Sequence, residues 1–178
     1  MTTAPAATST WVLDPVHSTA EFTVKHLVVA TFRGGFEAID ATLDLSGDHP
    51  QITGRVPVAS IVVKDENLKG HLLSADFFDA ENAPEITFVS TRVDTAEAGA
   101  VTIQGDLTVK GTTHPVIVAG HLSEAVEHFA GGERRAADLT TTIDRTLFGL
   151  DWNAPLPKGG FALGNDVNLS VHLEFQNA

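Results

Sequence analysis

Histidine is the residue type in this sequence with the clearest capacity for chemistry, as a metal ligand or as a general base. Eight histidines stand at positions 17, 26, 49, 71, 114, 121, 128 and 172. No two have the i,i+2 spacing that places two imidazoles on one face of a strand, and no His-Glu-x-x-His helix motif occurs. The chain has no cysteine, which excludes thiolate metal sites, disulfides and cysteine nucleophiles together. We therefore predict no metal site.

Patterns for nucleophilic catalysis and phosphate binding are also missing. The sequence has no Gly-x-Ser-x-Gly elbow, and its glycine pairs are isolated turn signals rather than a phosphate loop. Asp76 and Asp79 flank two phenylalanines, and we interpret them as solvated caps rather than an acid/base pair. The sequence therefore predicts no catalytic residue and no cofactor, and the protein is not expected to be an enzyme.

His26 differs from the other histidines because it continues an apolar strand face. Ala20, Phe22 and Val24 precede it at every second position. Three interpretations follow: a core histidine with its hydrogen bonds satisfied, a polar contact for the head group of a bound ligand, or a catalytic base.

The elements that must position these residues are strands, because most of the chain alternates apolar and polar residues. Turn signals such as Arg33-Gly34-Gly35, Lys110-Gly111-Thr112 and Lys158-Gly159-Gly160 separate the strands. Many strands at short spacing predict an all-β protein, an elongated eight-stranded antiparallel barrel whose closure leaves no open edge. The regular candidates are 20–25, 39–45, 101–109 and 167–175; the less regular ones are 52–63, 85–93, 114–122 and 138–145, with a short extra strand at 10–13.

One or two short helices interrupt the strands. Asp65 to Ala75 has two leucines four residues apart and an acidic start, which predicts a short helix. Phe77 and Phe78 follow it and are expected to plug or cover one end of the barrel. Residues 147–162, rich in proline, glycine and aromatic residues, form a second irregular segment before the last strand.

Composition restricts the partners. The 178 residues carry 11 Lys and Arg against 23 Asp and Glu, a net charge of −12, which disfavours nucleic acid and anionic membrane surfaces. No apolar stretch is long enough for stable membrane insertion as a helix. The N-terminus shows no secretory signal, so we expect a cytoplasmic protein with a disordered tail at 1–9 and one barrel domain at 10–177.

Several ordered motifs over residues 10–176 resemble the YceI family, in particular its cytoplasmic actinobacterial members. They are Trp11-Val-Leu-Asp-Pro-Val-His-Ser18, Phe22-Thr-Val-Lys-His-Leu27, His71-Leu-Leu-Ser-Ala-Asp-Phe-Phe-Asp79, Pro84-Glu-Ile-Thr-Phe-Val-Ser-Thr91, Gly105-Asp-Leu-Thr-Val-Lys-Gly-Thr-Thr-His-Pro-Val116 and Ile143-Asp-Arg-Thr-Leu-Phe-Gly-Leu150. The resemblance implies a lipocalin-like barrel with an interior pore, a homodimer, and a bound amphipathic molecule of isoprenoid, isoprenoid-quinone or fatty-acyl type. One departure is Val62-Val63-Lys64, where the family often has an acidic and threonine-rich turn, and this predicts a more apolar lining or a changed lid contact.

Ligand binding in such a barrel is physically reasonable. Burial of one methylene contributes about 0.8 kcal/mol, so a chain of about ten carbons reaches micromolar affinity after the cost of association. Two alternatives stay open: an isomerase, cyclase or dehydratase acting on an apolar substrate in the cavity, and a stress-related protein whose cavity is incidental. The candidate ligand-binding residues are Phe22, Val24, His26, Phe77, Phe78, Phe88, Phe148 and Trp152.

Overall fold

Hydrogen-bonded strands run through nearly all of the computed structural model, which describes residues 10–47 and 49–177. The predicted tail at 1–9 lies outside the described residues. The strands are β1 (Thr10–His26), β2 (Ala30–Phe36), β3 (Asp40–Asp44), β4 (Gln51–Pro57), β5 (Ile61–Val62), β6 (Glu85–Thr95), β7 (Ala100–Val109), β8 (Thr112–Leu122), β9 (Val126–Glu127), β10 (Glu133–Asp144) and β11 (Leu163–Asn177); the helix is α1 (Glu66–Leu73). Short 3-10 turns lie at Val58–Ser60, Glu97–Gly99 and Arg145–Phe148.

The sheet closes on itself. The strand order β11-β10-β8-β7-β6-β4-β3-β1 is completed by antiparallel pairing of β1 with β11, from Val12↔Gln176 to His26↔Leu163. These eight strands form the barrel, while β2, β5 and β9 extend its wall. The predicted eight-stranded antiparallel barrel is confirmed, and its closure leaves no unpaired edge among the eight.

Strand β7 shows why the alternating sequence specifies the inside of the barrel. Its burial alternates residue by residue, with Val101, Ile103, Leu107 and Val109 buried and the residues between them mostly exposed. Successive strand side chains point to opposite faces, so an alternating sequence places one apolar row inside the barrel.

Two strand boundaries differ from the predictions. The separate strand at 10–13 is continuous with the strand at 20–25, because β1 passes through a bulge between Asp14 and Thr19. In contrast, the single strand predicted at 52–63 is divided into β4 and β5 by the 3-10 turn at Val58–Ser60. The alternation of apolar residues resumes after each irregularity, which hides both from the sequence pattern.

The predicted turn at Arg33-Gly34-Gly35 is wrong, since these residues lie in β2. A β-carbon on Gly34 would lie 2.4 Å from Cζ of Phe22, so this glycine makes room for a ring rather than for a turn. The chain instead reverses just after His26, where Leu27 and Val28 have positive φ angles of 50° and 65°.

Two apolar cores lie at opposite ends of the barrel. The first core packs across one end, which we call the closed end, and there the guanidinium of Arg135 lies 5.2 Å from the centre of the Trp11 ring. The second core packs α1 and the 3-10 turn at Arg145–Phe148 over the other end, which we call the helix end. The fully buried side chains that anchor these cores are Phe175 in the first and Val58, Ile61 and Phe148 in the second.

Candidate functional site

A cavity of about 500 Å³ lies inside the barrel between the two cores. Its walls are overwhelmingly aliphatic and aromatic, with Ile52, Ile103 and Leu139 toward the closed end and Leu72, Phe77 and Trp152 toward the helix end. Ligand sites in proteins commonly have volumes of about 300–1,000 Å³, so this cavity is the size of a site for one small molecule.

All of the candidate ligand-binding residues line this cavity. They are Phe22, Val24, His26, Phe77, Phe78, Phe88, Phe148 and Trp152. The structure brings them together from β1, β6, the segment after α1 and the segment after β10. That they contact a ligand stays a prediction.

Glycines on neighbouring strands position two of the lining rings. Gly34 pairs with Phe22 and Gly105 with Ser90, and a β-carbon at either glycine would lie 2.4 Å from Cζ of Phe22 or Phe88 respectively. The tip of each ring therefore lies over a glycine, in space that a side chain at that position would occupy. This arrangement keeps the interior open where two phenylalanines would otherwise fill it.

Helix α1 and the residues after it form an aromatic group at the helix end. Asp65 caps the helix by accepting a hydrogen bond from the amide of Leu68 at 2.8 Å. The His71 ring centre lies 5.0 Å from that of Phe77 and 4.8 Å from that of Trp152, edge to face in both cases. Phe77 and Phe78 are both buried, so they pack over this end of the cavity as a cover would.

The two aspartates near these phenylalanines do not cap α1. Asp76 Oδ2 lies 3.1 Å from Nε2 of His71, and the carboxylate of Asp79 accepts hydrogen bonds from the side-chain amide of Asn82. Each carboxylate is therefore part of a local polar contact at the protein surface.

His26 lies at the rim of the cavity, where its side chain is exposed. The interpretation of His26 as a satisfied core histidine is therefore wrong. The alternation of β1 continues to Val24, which is buried, but the barrel wall ends at the next inward position.

Sequence reasoning missed Arg145, the ionisable residue that is most deeply buried at the cavity. Its side chain is only 4 % exposed and borders the cavity beside Phe148 and Trp152. The Nε group donates to the carbonyl of Gly164 at 2.9 Å, and Nη1 donates to the carbonyls of Leu150 and Trp152.

Local structure explains why Arg145 points inward. Asp144 caps the 3-10 turn by accepting hydrogen bonds from the amide and hydroxyl of Thr146, so the chain leaves the alternation of β10 at this point. Burial lowers the pKa of the Arg145 guanidinium, an effect that the negative charges of Asp151 and Asp144 oppose. The sequence signal for this residue is an arginine where an apolar strand ends, which by itself is also typical of a surface turn.

The other ionisable residues that border the cavity are less buried. Glu21, His26 and Arg55 are exposed, and His71 is half-buried. Most of the cavity can therefore hold only an apolar group, whereas the region beside Arg145 offers a positive charge.

Asp14, His17 and Glu174 form a separate group of three potential metal ligands on the outer wall at the bulge of β1. His17 Nδ1 lies 3.0 Å from Oδ2 of Asp14 and 4.0 Å from Oε1 of Glu174, while Nε of Arg134 lies 3.9 Å from that same oxygen. Ion pairing within the group accounts for the arrangement. The hydrogen bond between Asp14 and His17 raises the pKa of His17 and lowers that of Asp14.

Within the described part of the chain, no helix is long and apolar enough to cross a membrane.

Comparisons with known proteins agree with this geometry. The family model described as the YceI-like domain matches residues 11–175. A UPF0312 protein of Staphylococcus epidermidis is 31 % identical over 168 residues, covering 91 % of this chain and 94 % of that protein. A UPF0312 protein of Staphylococcus aureus is 32 % identical over the same shares of both chains.

Solved structures share the fold. BcnA of Burkholderia cenocepacia superposes with a TM-score of 0.77 at 22 % identity, over 91 % of this chain and 98 % of BcnA. A polyisoprenoid-binding domain of Saccharophagus degradans, implicated in plant cell wall breakdown, gives a TM-score of 0.72 at 12 % identity, over 94 % of this chain and 98 % of that domain.

Proposed function

The chain belongs to the YceI-like family, and from this membership and its cavity we propose that it binds an amphipathic hydrophobic small molecule inside the barrel and carries or sequesters it. The molecule is of isoprenoid, isoprenoid-quinone or fatty-acyl type. The observation that carries the proposal is an apolar cavity of about 500 Å³ enclosed by the barrel wall. The polyisoprenoid-binding domain with the same fold supports the choice of ligand class.

The size of the cavity favours a binding role over an incidental void. Interior voids larger than a water molecule are few in close-packed proteins, because each void forfeits dispersion contacts. Here the rings of Phe22 and Phe88 occupy the space that two glycines leave on the neighbouring strands, so they take up less of the interior. A chain buried in that space gains about 0.8 kcal/mol per methylene.

An enzyme acting on an apolar substrate is the second candidate, because His71 borders the cavity. Isomerisation, cyclisation or dehydration needs a general acid and a general base that both face the substrate. Nε2 of His71 is occupied by Asp76, and His26 lies exposed at the rim. The described residues therefore supply one interior imidazole rather than an opposed pair, and binding is the better-supported function.

A larger side chain on the cavity wall, which reduces the volume of the cavity, tests the binding function. Val116 lines the cavity at the middle of β8, and its neighbour Ile117 points outward with 65 % of its surface exposed. Val116→Phe places a ring inside the barrel, whereas Ile117→Phe adds the same ring outside it. We expect delipidated Val116→Phe to bind farnesol and methyl palmitate at least about tenfold more weakly than wild type, which corresponds to about 1.4 kcal/mol.

Ile117→Phe is the matched control and should bind both probes like wild type. Native mass spectrometry of the purified proteins, followed by titration of the delipidated proteins with intrinsic tryptophan fluorescence, measures the difference. Equal binding by both variants, or no binding of either probe by wild type, would contradict the proposal.

The cytoplasmic location and the homodimer stay predictions. Cell fractionation checks the location, and light scattering of the purified protein checks the dimer.

A further inference from the structure

We infer that Arg145 binds the head group of the ligand and that this head group is an oxyanion, a carboxylate or a phosphate. The inference rests on the proposed function and narrows it, since a neutral quinone or alcohol would not satisfy the site. The ligand then lies with its charged end beside Arg145 and its apolar tail toward the closed end of the barrel.

The first observation is a buried charge without a direct ion pair, since Asp144 and Asp151 act on it only from beyond ion-pair distance. Arg145 is 4 % exposed, yet no carboxylate among the described residues lies within 4.0 Å of its guanidinium. In contrast, Arg55 pairs with Asp40 and Glu85, and Arg92 pairs with Asp94, although both arginines are mostly exposed. A buried charge is unfavourable unless it is paired and hydrogen-bonded, so the described contacts leave Arg145 incompletely stabilised.

The second observation is a free edge of the guanidinium. Nε donates to Gly164, and Nη1 donates to Leu150 and Trp152, which accounts for the N–H groups on that side. Nη2 carries two further N–H groups, and no acceptor among the described residues receives them. Three carbonyl dipoles fix the orientation of the guanidinium but supply no net negative charge. An oxyanion in the cavity would accept from Nη2 and provide the missing charge.

The third observation is position. Arg145 follows β10 at the helix end, and the cavity continues from there to Ile52 and Ile103 near the closed end. The cavity wall between these levels is overwhelmingly apolar, and Arg145, the one buried cation among the described residues that border the cavity, lies at one end of it. A molecule with one charged end and one apolar chain matches this distribution.

The test compares ligands that differ only in charge. Palmitate is paired with methyl palmitate, and farnesyl phosphate with farnesol, so that the two pairs separate a carboxylate from a phosphate source. At pH 8 we expect the delipidated wild-type protein to bind at least one anion about 10- to 100-fold more tightly than its neutral partner, the range for a hydrogen bond to a charged group.

The variant Arg145→Gln removes the charge and keeps an amide donor for the backbone carbonyls. We expect it to lose the preference for the anion over its neutral partner, so that the two probes of each pair bind within about twofold of each other. The matched control is Arg92→Gln, which makes the same change on the exposed face of β6 and should keep the preference. A preference that survives in Arg145→Gln, or is absent in wild type, overturns the role of Arg145 while binding itself stands. If no probe binds wild type, the proposed function fails as well.

A measurement on wild type alone covers the case in which Arg145→Gln does not fold. Palmitate labelled with ¹³C at its carboxyl group is titrated with acid while bound, and NMR follows the carboxyl signal. A carboxylate beside a guanidinium has a lowered pKa, whereas one in an apolar cavity without a cation has a raised pKa. A bound pKa below that of free palmitate supports the inference, and an equal or higher value overturns it.

Discussion

At the scale of single residues, the open interior depends on contacts between rings and glycines that neither residue type reveals alone. Phe22 lies over Gly34 of β2, and Phe88 lies over Gly105 of β7. The three atoms nearest to a methyl group at Gly34 all belong to the Phe22 ring, the closest at 2.4 Å, so the ring is the part that must move.

Gly34→Ala should therefore push the Phe22 ring into the cavity. We expect the variant to fold, because the neighbour is a side chain rather than backbone, and to bind farnesol about tenfold more weakly than wild type. Gly70→Ala is the control, since a β-carbon on this exposed helical residue has no neighbour within 4 Å. It should leave binding unchanged and stabilise α1 by about 0.5–1 kcal/mol. Unchanged affinity in Gly34→Ala would show that the ring does not limit the cavity.

The pair of Asp14 and His17 predicts a pH dependence of stability at the same scale. The hydrogen bond with Asp14, followed by the negative charges of Asp14 and Glu174, raises the pKa of His17 above its ordinary value of 6.5. The folded state then holds this proton more tightly than the unfolded state. The resulting stabilisation is complete below pH 6.5 and is lost as the pH rises through the folded value.

His17→Gln should consequently lower the melting temperature more at pH 6 than at pH 8.5. Thermal unfolding of wild type and variant at both pH values measures this difference. His49→Gln serves as the control, because His49 is exposed and has no ion pair among the described residues. An equal loss of stability at the two pH values would be evidence against a contribution from the ion pair.

At the scale of elements, the turn between β1 and β2 carries unusual residues for its geometry. Val28 has a φ of 65° and is 72 % exposed, although β-branched residues rarely adopt positive φ. The strain comes from the crowding of the β-carbon against the backbone, which costs about 1–2 kcal/mol per residue. Asparagine tolerates this conformation better than valine does.

Val28→Asn should therefore stabilise the fold by about 1 kcal/mol, which raises the melting temperature by about 2–4 °C for a domain of this size. Val29→Asn makes the same exchange at the next position, which is 86 % exposed and has no positive φ. Differential scanning calorimetry should show a gain for Val28→Asn and none for Val29→Asn. A similar change in both variants would mean that solubility of the side chain, rather than backbone strain, is responsible.

At the scale of the whole molecule, binding inside a closed barrel couples ligand affinity to unfolding. A ligand held between two cores binds only the folded state, so it stabilises by about 2.7 kcal/mol at a concentration of a hundred times its Kd. Delipidated protein should therefore gain about 5–10 °C in melting temperature when saturated with farnesol or palmitate. Val116→Phe should show a much smaller gain under the same conditions. A ligand that binds only the outer surface would raise the melting temperature of wild type and Val116→Phe equally.

Much of the architecture could be predicted from the sequence because strand patterning is local. The eight barrel strands and the helix near Asp65 follow from period-two alternation and from a capped segment with leucines four residues apart. The predictions were wrong where the role of a residue depends on its contact with a residue of another strand. The sequence predicts a turn at Gly34, whereas the structural reason for glycine at this position is the Phe22 ring on the adjacent strand.

The same distinction between local sequence pattern and tertiary contact applies to the residues of the cavity. Phe22 and Phe88 lie on the cavity wall because apolar residues at inward strand positions face the interior of a closed barrel. The other aromatic candidates reach the wall from the segments after α1 and after β10. His26 is not a core residue, because the barrel wall ends there. The position of that end depends on the pairing of β1 with β11, which the local sequence pattern does not give. The sequence does not predict the inward direction of Arg145, because a 3-10 turn rather than the alternation of β10 sets that direction.

The sequence by itself determined the all-β class, the alternation of inward and outward residues and the membership of the family. Each of these depends on neighbouring residues or on motifs that stay contiguous in the chain. Only the tertiary structure decided that the interior is hollow and that a buried arginine lies beside it. The volume left inside a barrel is the space enclosed by all of its strands minus their side chains, and that difference depends on register and packing across the whole wall.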